Sequence, residues 1–588
     1  MIEQLQEEMD MEIRLVPVND DNKDAVLALS VREDQPFVAP NDVSLRQAEE
    51  ANAEHPGVAR PFVICADDRP VGFCMFSFAP EEDDPEDRYW LWRFMIDKNE
   101  QGKGYGQAAL HEIFRYFKEN GADMLYLSTE PENELGLHVY HKAGFRETGI
   151  VSDDEAVMMR MLKGPNKTIK DFYGVDVDKA LQIRGKKGYG VSVAVHDGDG
   201  DLLTYCSGSG RYGQDFPVNP DMLFQAASVS KPLFALTLLR YVDKGRIDLD
   251  ADVSGVVPEF VKKGPVTFAA LLSHTAGYNV HGFPGYRADH EPLTLEDVLN
   301  GRGNTPKLRR IKPYGKQYAY SGGGITLAEL AFTRITGMTL RDAFQKEVAE
   351  PLGLTRTGFF QPLDEDLLAN AAFGGRLAYR EDLEHGYHYY PEHAAAGLWT
   401  TPTELCKIGL ALSRSYRRGG FLKKKTARRM LTPVMDNYGL CVYNFRGDIG
   451  EHGGWNEGFI TEWMFSLDKD LCVASMFNHA TDALDWAQTY VALELFQNVE
   501  ADMNEDLCKR GRKSFCGKYE QNVEDFRVDE IFMEDETLFA RVITEEGEKT
   551  YELYPIGKKT FGRKGGFAKI EFGDNYLTIN GETTCKKL

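Results

Sequence analysis

The sequence predicts a multidomain protein of mixed α/β and α+β class, in three parts: residues 1–163, 164–505 and 506–588. Three observations carry this. At 588 residues the chain has room for about three domains. Two markers of chemistry, Gln101-Gly-Lys-Gly104-Tyr-Gly106 and Ser228-Val-Ser-Lys231, fall in separate stretches, each with its own strand and helix signals. From about Lys513 the pattern changes to short alternating segments separated by turns, as in a small antiparallel β-barrel.

In the first part, residues 89–96 read as a strand and residues 107–119 as a helix, with the glycine-rich turn between them. That order sets consecutive backbone N–H groups at a helix N-terminus, which suits a pyrophosphate. Residues 125–129 read as a further strand, followed by Asn133-x-x-Gly136-x-x-x-Tyr140 and Gly144-Phe145. Together these motifs resemble the second half of a GNAT-type acetyltransferase. The resemblance implies a GNAT fold with acetyl-CoA as cosubstrate. It implies a pyrophosphate loop of Gln101, Gly102, Lys103, Gly104, Tyr105 and Gly106, a pantetheine contact from Asn133, and Tyr140 as proton donor to the departing thiolate. Gly136 stands where alanine is common. The strings Arg32-Glu-Asp-Gln35-Pro-Phe-Val-Ala-Pro40 and Arg93-Phe-Met-Ile-Asp97 extend the resemblance to bacterial spermine/spermidine-type enzymes. A small-molecule amine is then the expected acceptor, with polyamines among the candidates. Transfer needs a neutral amine that attacks the thioester directly, and Glu33 or Asp34 is expected as its base or its contact. The acidic loop 81–87 reads either as a solvated hairpin or as an attractor for a polycation.

The middle part opens with a hairpin, residues 190–196 and 202–206 around Asp197-Gly-Asp-Gly. Phe224-Gln-Ala-Ala-Ser228-Val-Ser-Lys231-Pro232 follows, then an apolar helix over 233–244 ending before Gly245. A Ser and a Lys three residues apart share one helix face. A lysine partly buried near a helix N-terminus can lose its proton near neutral pH and activate the serine. By itself the spacing is also that of a capping serine and a solvated lysine. Further helices are expected over 327–336 and 340–350, and strands over 458–467 and 471–477.

Two later motifs give the spacing its meaning: Tyr318-Ala-Tyr320-Ser-Gly-Gly-Gly324 and Glu451-His-Gly-Gly-Trp455-Asn-Glu-Gly-Phe459. With Leu271-Leu-Ser-His274-Thr-Ala-Gly277, Pro351-Leu-Gly-Leu354 and Ala395-Ala-Gly397-Leu-Trp-Thr-Thr401, the stretch from about 165 to 500 resembles the serine beta-lactamase and penicillin-binding-protein superfamily. The resemblance is to the branch of class C beta-lactamases, D-aminopeptidases and class VIII-type esterases. It implies a beta-lactamase-like α/β serine hydrolase fold. Ser228 would be the acylated nucleophile, Lys231 its base or the base's electrostatic partner, and Tyr320 the proton shuttle. His452 stands where many relatives carry Lys. The backbone N–H groups of Ser228 and Trp455 would form the oxyanion hole. Gly322 replaces a frequent Asn of the second motif, which points away from beta-lactams and toward an amide, peptide or ester substrate.

In the last part, Phe515-Cys-Gly-Lys-Tyr519 opens the series, and residues 530–533, 537–542, 550–554, 568–572 and 575–579 alternate as strands. They are similar to the lipocalin-like β-barrel that follows some hydrolases of this branch, with a structural or cleft-shielding role expected.

The formal net charge is −24, against a nucleic-acid partner, which needs clustered Lys and Arg. Lys423-Lys-Lys425 and Arg428-Arg429 read as a solvated helix face. No run approaches 18 apolar residues, so no membrane span is expected. The acidic start of the chain does not read as a signal peptide, and nine scattered Cys suit reduced thiols in a cytoplasmic setting. His385, His388 and His393, beside Glu384 and Glu392, read as a wall of the hydrolase cleft rather than a zinc site, and no metal is expected. The expected function is a bifunctional cytosolic enzyme that acetylates a small amine and hydrolyses an amide, peptide or ester. The alternatives are a hydrolase with an acyl-CoA-sensing GNAT domain, and a silent binding module.

Overall fold

A computed structural model describes residues 13–588 except 33, 83, 85–86, 123, 144, 153, 163–168, 182–189, 198–201, 263, 377–380, 509–511, 522–526, 535–536, 545–546 and 581–582. Glu33, Gly144 and part of the acidic loop 81–87 therefore lie outside the described residues. The chain forms two compact units, residues 1–167 and 168–588.

The first unit is a seven-stranded sheet. Its strands are β1 (Ile13–Pro17), β2 (Ala59–Ala66), β3 (Arg69–Phe78), β4 (Tyr89–Ile96), β5 (Met124–Thr129), β6 (Arg146–Ser152) and β7 (Glu155–Met161), in the order β1-β2-β3-β4-β5-β7-β6. Helices α1 (Lys23–Ala28), α2 (Asn41–Glu54), α3 (Tyr105–Glu119) and α4 (Glu134–Lys142) complete it. Successive strand side chains point to opposite faces. In β2, Phe62 and Ile64 join Leu110, Ile113 and Phe117 of α3, while Val63 and Cys65 join Val26 of α1 and Leu45 of α2. The β3–β4 register skips Trp92, since Met75 pairs with Arg93 and Phe76 with Leu91. Such a bulge turns a strand locally. Parallel strands β4 and β5 pair at one position, Trp90 and Tyr126.

The second unit is built on a six-stranded antiparallel sheet. Its hairpin β8 (Gly190–Asp197) and β9 (Leu202–Gly208) is joined by β10 (Tyr443–Phe445), β11 (Ile449–Asn456), β12 (Phe459–Ser466) and β13 (Leu471–Phe477), in the order β10-β11-β12-β13-β8-β9. Between the two groups of strands run α5 (Ser230–Asp243), α6 (Gly322–Thr336), the short α7 (His393–Ala396) and α8 (Pro402–Arg418); α9 (Asp482–Cys508) follows β13. The sheet is apolar on both faces. Ala194, Phe465 and Ala474 pack on one side with Leu405, Ile408 and Leu412 of α8. Val193, Met464 and Val473 pack on the other with Val491, Leu495 and Phe496 of α9. The 27-residue α9 runs through position 505, where the sequence analysis set a domain boundary.

Three elements depart from the sequence expectation. Helix α5 begins at Ser230 rather than 233, because Pro232 sits in its first turn, where a missing N–H costs no hydrogen bond. Helix α6 begins at Gly322 rather than 327, because Ser321 Oγ accepts the Gly324 N–H at 2.9 Å and caps it. The helix expected over 340–350 is an α segment, Leu340–Phe344, followed by a wider π turn, Gln345–Ala349.

The last strands are β14 (Gly517–Gln521), β15 (Arg527–Glu534), β16 (Thr537–Thr544), β17 (Gly547–Gly557), β18 (Thr560–Arg563), β19 (Lys569–Phe572), β20 (Tyr576–Ile579) and β21 (Thr583–Lys587). They close into an antiparallel barrel, with β14 paired to β21 and a core that includes Val528, Leu538, Phe561 and Leu577. Closure leaves no unpaired edge. Among the described residues no helix is long and apolar enough to cross a membrane.

Candidate functional site

Ser228 lies in a 3-10 turn, Ala227–Val229, that leads directly into α5. Side chains three apart eclipse in such a turn, and Lys231 Nζ stands 2.9 Å from Ser228 Oγ. The turn is tense. Ala227, just before the serine, holds φ at +49°, a left-handed conformation that costs a non-glycine residue about 1–3 kcal/mol. The same Lys231 nitrogen donates to the Ala395 carbonyl at 2.7 Å. Lys231 is 2% exposed, and burial pushes its amine down to about 7, with Cys441 opposing slightly.

The hydroxyl of Tyr320 donates to Ser228 Oγ at 3.1 Å, and its ring lies 5.1 Å from Lys231 Nζ. Burial pushes this phenol above its usual range. His274, itself at φ +55°, packs on the Tyr320 ring at 4.3 Å, and its Nδ1 accepts the Ser321 N–H at 3.2 Å. The Tyr318 and Tyr443 hydroxyls bond at 2.9 Å, and Tyr438 packs against both rings. Gly322 has a local reason. A Cβ there would lie 2.6 Å from the Phe283 ring and 3.0 Å from the His281 carbonyl. A side chain at 322 would therefore run into the 281–283 segment.

Strand β11 brings His452, Gly454 and Asn456 to one face, opposite Trp463, Thr461 and Phe459 of β12. Gly454 lies against the nucleophile turn. A Cβ on it would stand 2.3 Å from the Ala226 carbonyl and 3.0 Å from the Ser228 nitrogen. This brings the backbone just before Trp455 to the Ser228 N–H. The Trp455 side chain is half-exposed. His452 is buried, and its ring nitrogens go to the Gly453 carbonyl at 2.6 Å and the Tyr438 hydroxyl at 3.4 Å. Its hydrogen bonds thus join the tyrosine wall rather than Ser228. Burial, then the Lys231 charge, lowers its pKa to about 3, so the ring is neutral.

Five consecutive backbone groups behind Lys231 are each held by a different side chain. Glu329 accepts the Ala394 N–H at 2.8 Å, and Lys231 takes the Ala395 carbonyl. Asn456 donates to the Ala396 carbonyl at 3.1 Å and Gln361 to that of Gly397 at 3.1 Å. Ser230 Oγ accepts the Leu398 N–H at 2.9 Å. Sequence reasoning did not single out Glu329, Gln361 or Tyr438. The Ala395–Gly397 landmark was visible, but its use of main-chain oxygens has no side-chain signature. The three histidines near 390 turn to separate partners: His385 to Asp289, His388 to the Pro284 carbonyl and His393 to Glu329.

In the first unit a cavity of about 410 Å³ is lined by Gln101, Gly102, Gly106, Asn133 and Tyr140, with Gln35 opposite. Gly102 and Gly104 hold φ at +81° and +86°, and nothing lies within 4 Å of where a Cβ would stand. That open loop leads into the N-terminus of α3, and Phe94, Met95 and Ile96 of β4 line the cavity beside it. The cradle fits a long thioester bearing a pyrophosphate. The Lys103 and Tyr105 side chains go elsewhere, to Glu100 at 3.0 Å and to Arg69 at 3.1 Å. Asn133 caps α4: its Oδ1 accepts the Gly136 N–H at 2.9 Å and its Nδ2 donates to Thr129 Oγ1 at 3.0 Å. A Cβ at 136 would stand 2.4 Å from that amide, which explains the glycine. Burial, then Glu130 and Glu155, pushes the Tyr140 phenol up to about 12, so it holds its proton.

The family model described as Beta-lactamase matches residues 177–495, and that described as Acetyltransferase (GNAT) family matches residues 27–145. A probable spermine N(1)-acetyltransferase of Bacillus subtilis subsp. natto is 32% identical over 157 residues, 26% of this chain and 100% of the relative. Esterase EstB of Burkholderia gladioli is 32% identical over 31% of this chain, which spans about half (49%) of the esterase. Penicillin-binding protein 4* of Bacillus subtilis is 21% identical over 63% of this chain and 88% of its own length.

Proposed function

The chain belongs to the beta-lactamase family through residues 177–495 and to the GNAT acetyltransferase family through its N-terminal unit, and from that premise we propose a division of labour along one polypeptide. The second unit hydrolyses an uncharged amide or ester through an acyl-enzyme on Ser228. The first transfers an acetyl group from acetyl-CoA to a small amine, with polyamines as the leading class. The eight described cysteines are free thiols, and with acetyl-CoA as cosubstrate the working compartment is the cytosol.

One observation carries the hydrolase reading: the buried Lys231 amine, held between Ser228 Oγ and the Ala395 carbonyl, with its pKa near 7. Deprotonated, it keeps an N–H on Ala395 and turns its lone pair on the serine. It takes the Ser228 proton as Oγ attacks the acyl carbon. The N–H groups of Ser228 and Trp455 receive the developing oxyanion, worth several kcal/mol in such a site. Tyr320, protonated at neutral pH, passes its proton to the leaving oxygen or nitrogen and is reprotonated from Lys231. Water then attacks the acyl-enzyme with Lys231 again as base, the acid leaves, and Ser228 regains its proton. His452 is neutral and Lys231 neutral in its working form. A substrate without a carboxylate therefore suits this cleft best, and Gly322 supplies no amide to a beta-lactam side chain.

In the first unit, acetyl-CoA supplies an activated acyl group. The Gly102–Gly106 backbone would hold its pyrophosphate, and Tyr140 stands as the proton donor. The resemblance of this unit to a spermine acetyltransferase supports a polyamine acceptor.

A fluorophosphonate probe followed by intact mass tests the hydrolase. One adduct per chain, lost in Ser228→Ala, is expected, and an unlabelled wild-type protein overturns the reading. Acetyl-CoA consumption against a panel of amines tests the transferase. Turnover that falls at least tenfold in Tyr140→Phe is expected, and no turnover with any amine overturns it.

A further inference from the structure

Two hydrogen bonds hold the Lys231 amine, and only one of them goes to the proposed nucleophile. The other, to the Ala395 carbonyl, decides which way the nitrogen points. With one N–H committed to that oxygen and Ser228 Oγ 2.9 Å away, the neutral amine can turn its lone pair on the serine. What holds Ala395 is therefore part of how the base is aimed.

The turn that carries Ala395 is anchored next door. Glu329, 2% exposed, reaches from α6 and accepts the Ala394 N–H at 2.8 Å. Helix α6 also begins two residues after Tyr320, directly behind its cap Ser321, so the phenol sits just before the rod that carries the carboxyl about two turns on. We propose that Glu329 is a positioning residue for the base: it fixes the 394–395 backbone so that the Ala395 carbonyl orients the Lys231 amine toward Ser228. This rests on the reading of Ser228 as nucleophile.

A buried carboxyl is a costly way to hold one N–H. Its surroundings show how the cost is limited. Glu329 faces Glu392 and His393, with His393 Nδ1 at 3.7 Å and Arg341 beyond it. Burial above all pushes Glu329 up to about 8, with Glu392 adding to this and the Ala394 bond opposing it. The group is a neutral acid at pH 7, and a glutamine reproduces both its shape and its charge. Lys231 in turn is faced by Tyr320, His274, His281, His452 and Cys441, none of which the substitutions below touch.

The test is the rate of Ser228 phosphonylation by a fluorophosphonate on the full chain, as a function of pH, in E329Q, E329A and E329M. E329Q keeps an acceptor for Ala394 and is expected within twofold of wild type, with the acid limb unmoved. E329A and E329M lose the acceptor. Their maximal inactivation rate is expected to fall ten- to hundredfold with unchanged probe affinity. Their acid limb should move to lower pH, because an ammonium without its carbonyl partner gives up its proton more easily. E329M keeps the volume, so it decides the matter if E329A does not fold. A folded E329M with wild-type rate and pH profile overturns the inference, and so does an E329Q as slow as E329M. A wild-type protein with no adduct on Ser228 overturns the nucleophile reading instead, so the two failures are told apart.

Discussion

At the scale of single residues the candidate hydrolase site depends on burial. Burial brings the Lys231 amine to about 7 and pushes the Tyr320 phenol up, so near pH 7 the amine proposed as base is partly unprotonated and the phenol proposed as shuttle holds its proton. The rate of Ser228 acylation should therefore rise with pH through about 7 and level off above it, as seen in a pH profile of probe labelling. Tyr320→Phe should keep that limb, which belongs to Lys231, and lose about 10²–10⁴-fold in turnover of an ester substrate. Lys231→Met should abolish labelling and raise the melting temperature, since an amine buried below its ordinary pKa disfavours folding wherever the unfolded chain would protonate it. The sign is fixed: the folded pKa is lowered, so stability rises with pH between about 7 and the ordinary lysine value of 10.5. The meeting of Ser228, Lys231 and Tyr320 was legible because it is made by side chains whose motifs stand in the chain. Ala395 and Glu329 were not, because one acts through its backbone and the other through a bond to somebody else's backbone.

At the scale of elements the informative residues are those whose size is constrained. Gly454 is a strand residue whose missing side chain lets β11 touch the nucleophile turn. In Gly454→Ala the Cβ would stand 2.3 Å from the Ala226 carbonyl, so the turn must retreat. A loss of about 1–3 kcal/mol in stability is expected by thermal denaturation, together with at least a hundredfold loss in acylation rate from a displaced oxyanion donor. The strands 89–96 and 471–477 were readable to the residue, because apolar runs bounded by turn residues are their own signal. The Trp92 bulge and the early start of α6 were not. Both follow from what packs alongside, which periodicity does not encode. The barrel strands were legible as a series, but their closure is a pairing of residues 517–521 with 583–587, and no local pattern announces it.

At the scale of the second unit the barrel is fastened by charge. Arg446, at φ +60° in the β10–β11 turn, has its guanidinium buried against Asp448, Glu500 and the Tyr554 hydroxyl, and Lys469 joins Glu500 at 2.8 Å. Phe445 stacks on Phe567 at 4.2 Å beside it. Removing one member of such a network strands the others, at about 3–5 kcal/mol. Arg446→Met should loosen the barrel and expose α9 and β17 to faster hydrogen exchange, while Tyr554→Phe, which leaves the charges paired with one another, should cost about 1.5–3 kcal/mol. Because Phe445 neighbours Tyr443 in the cleft wall, Arg446→Met should also lower hydrolase turnover; unchanged exchange and turnover would count against the coupling.

The five backbone groups at 394–398 have one more consequence, in the order of synthesis. Their holders come from positions 230, 231, 329, 361 and 456, so the last arrives about 225 residues after the lysine. At about 5–20 residues per second a growing chain carries Ser228 and Lys231 for roughly 10–45 seconds before the final holder exists. Through that interval the lysine should behave as a solvated ammonium and the serine as an unactivated alcohol. A nascent or truncated chain ending before Asn456 should take up no probe, so the reactive pair becomes dangerous to its neighbours only when its cage is complete.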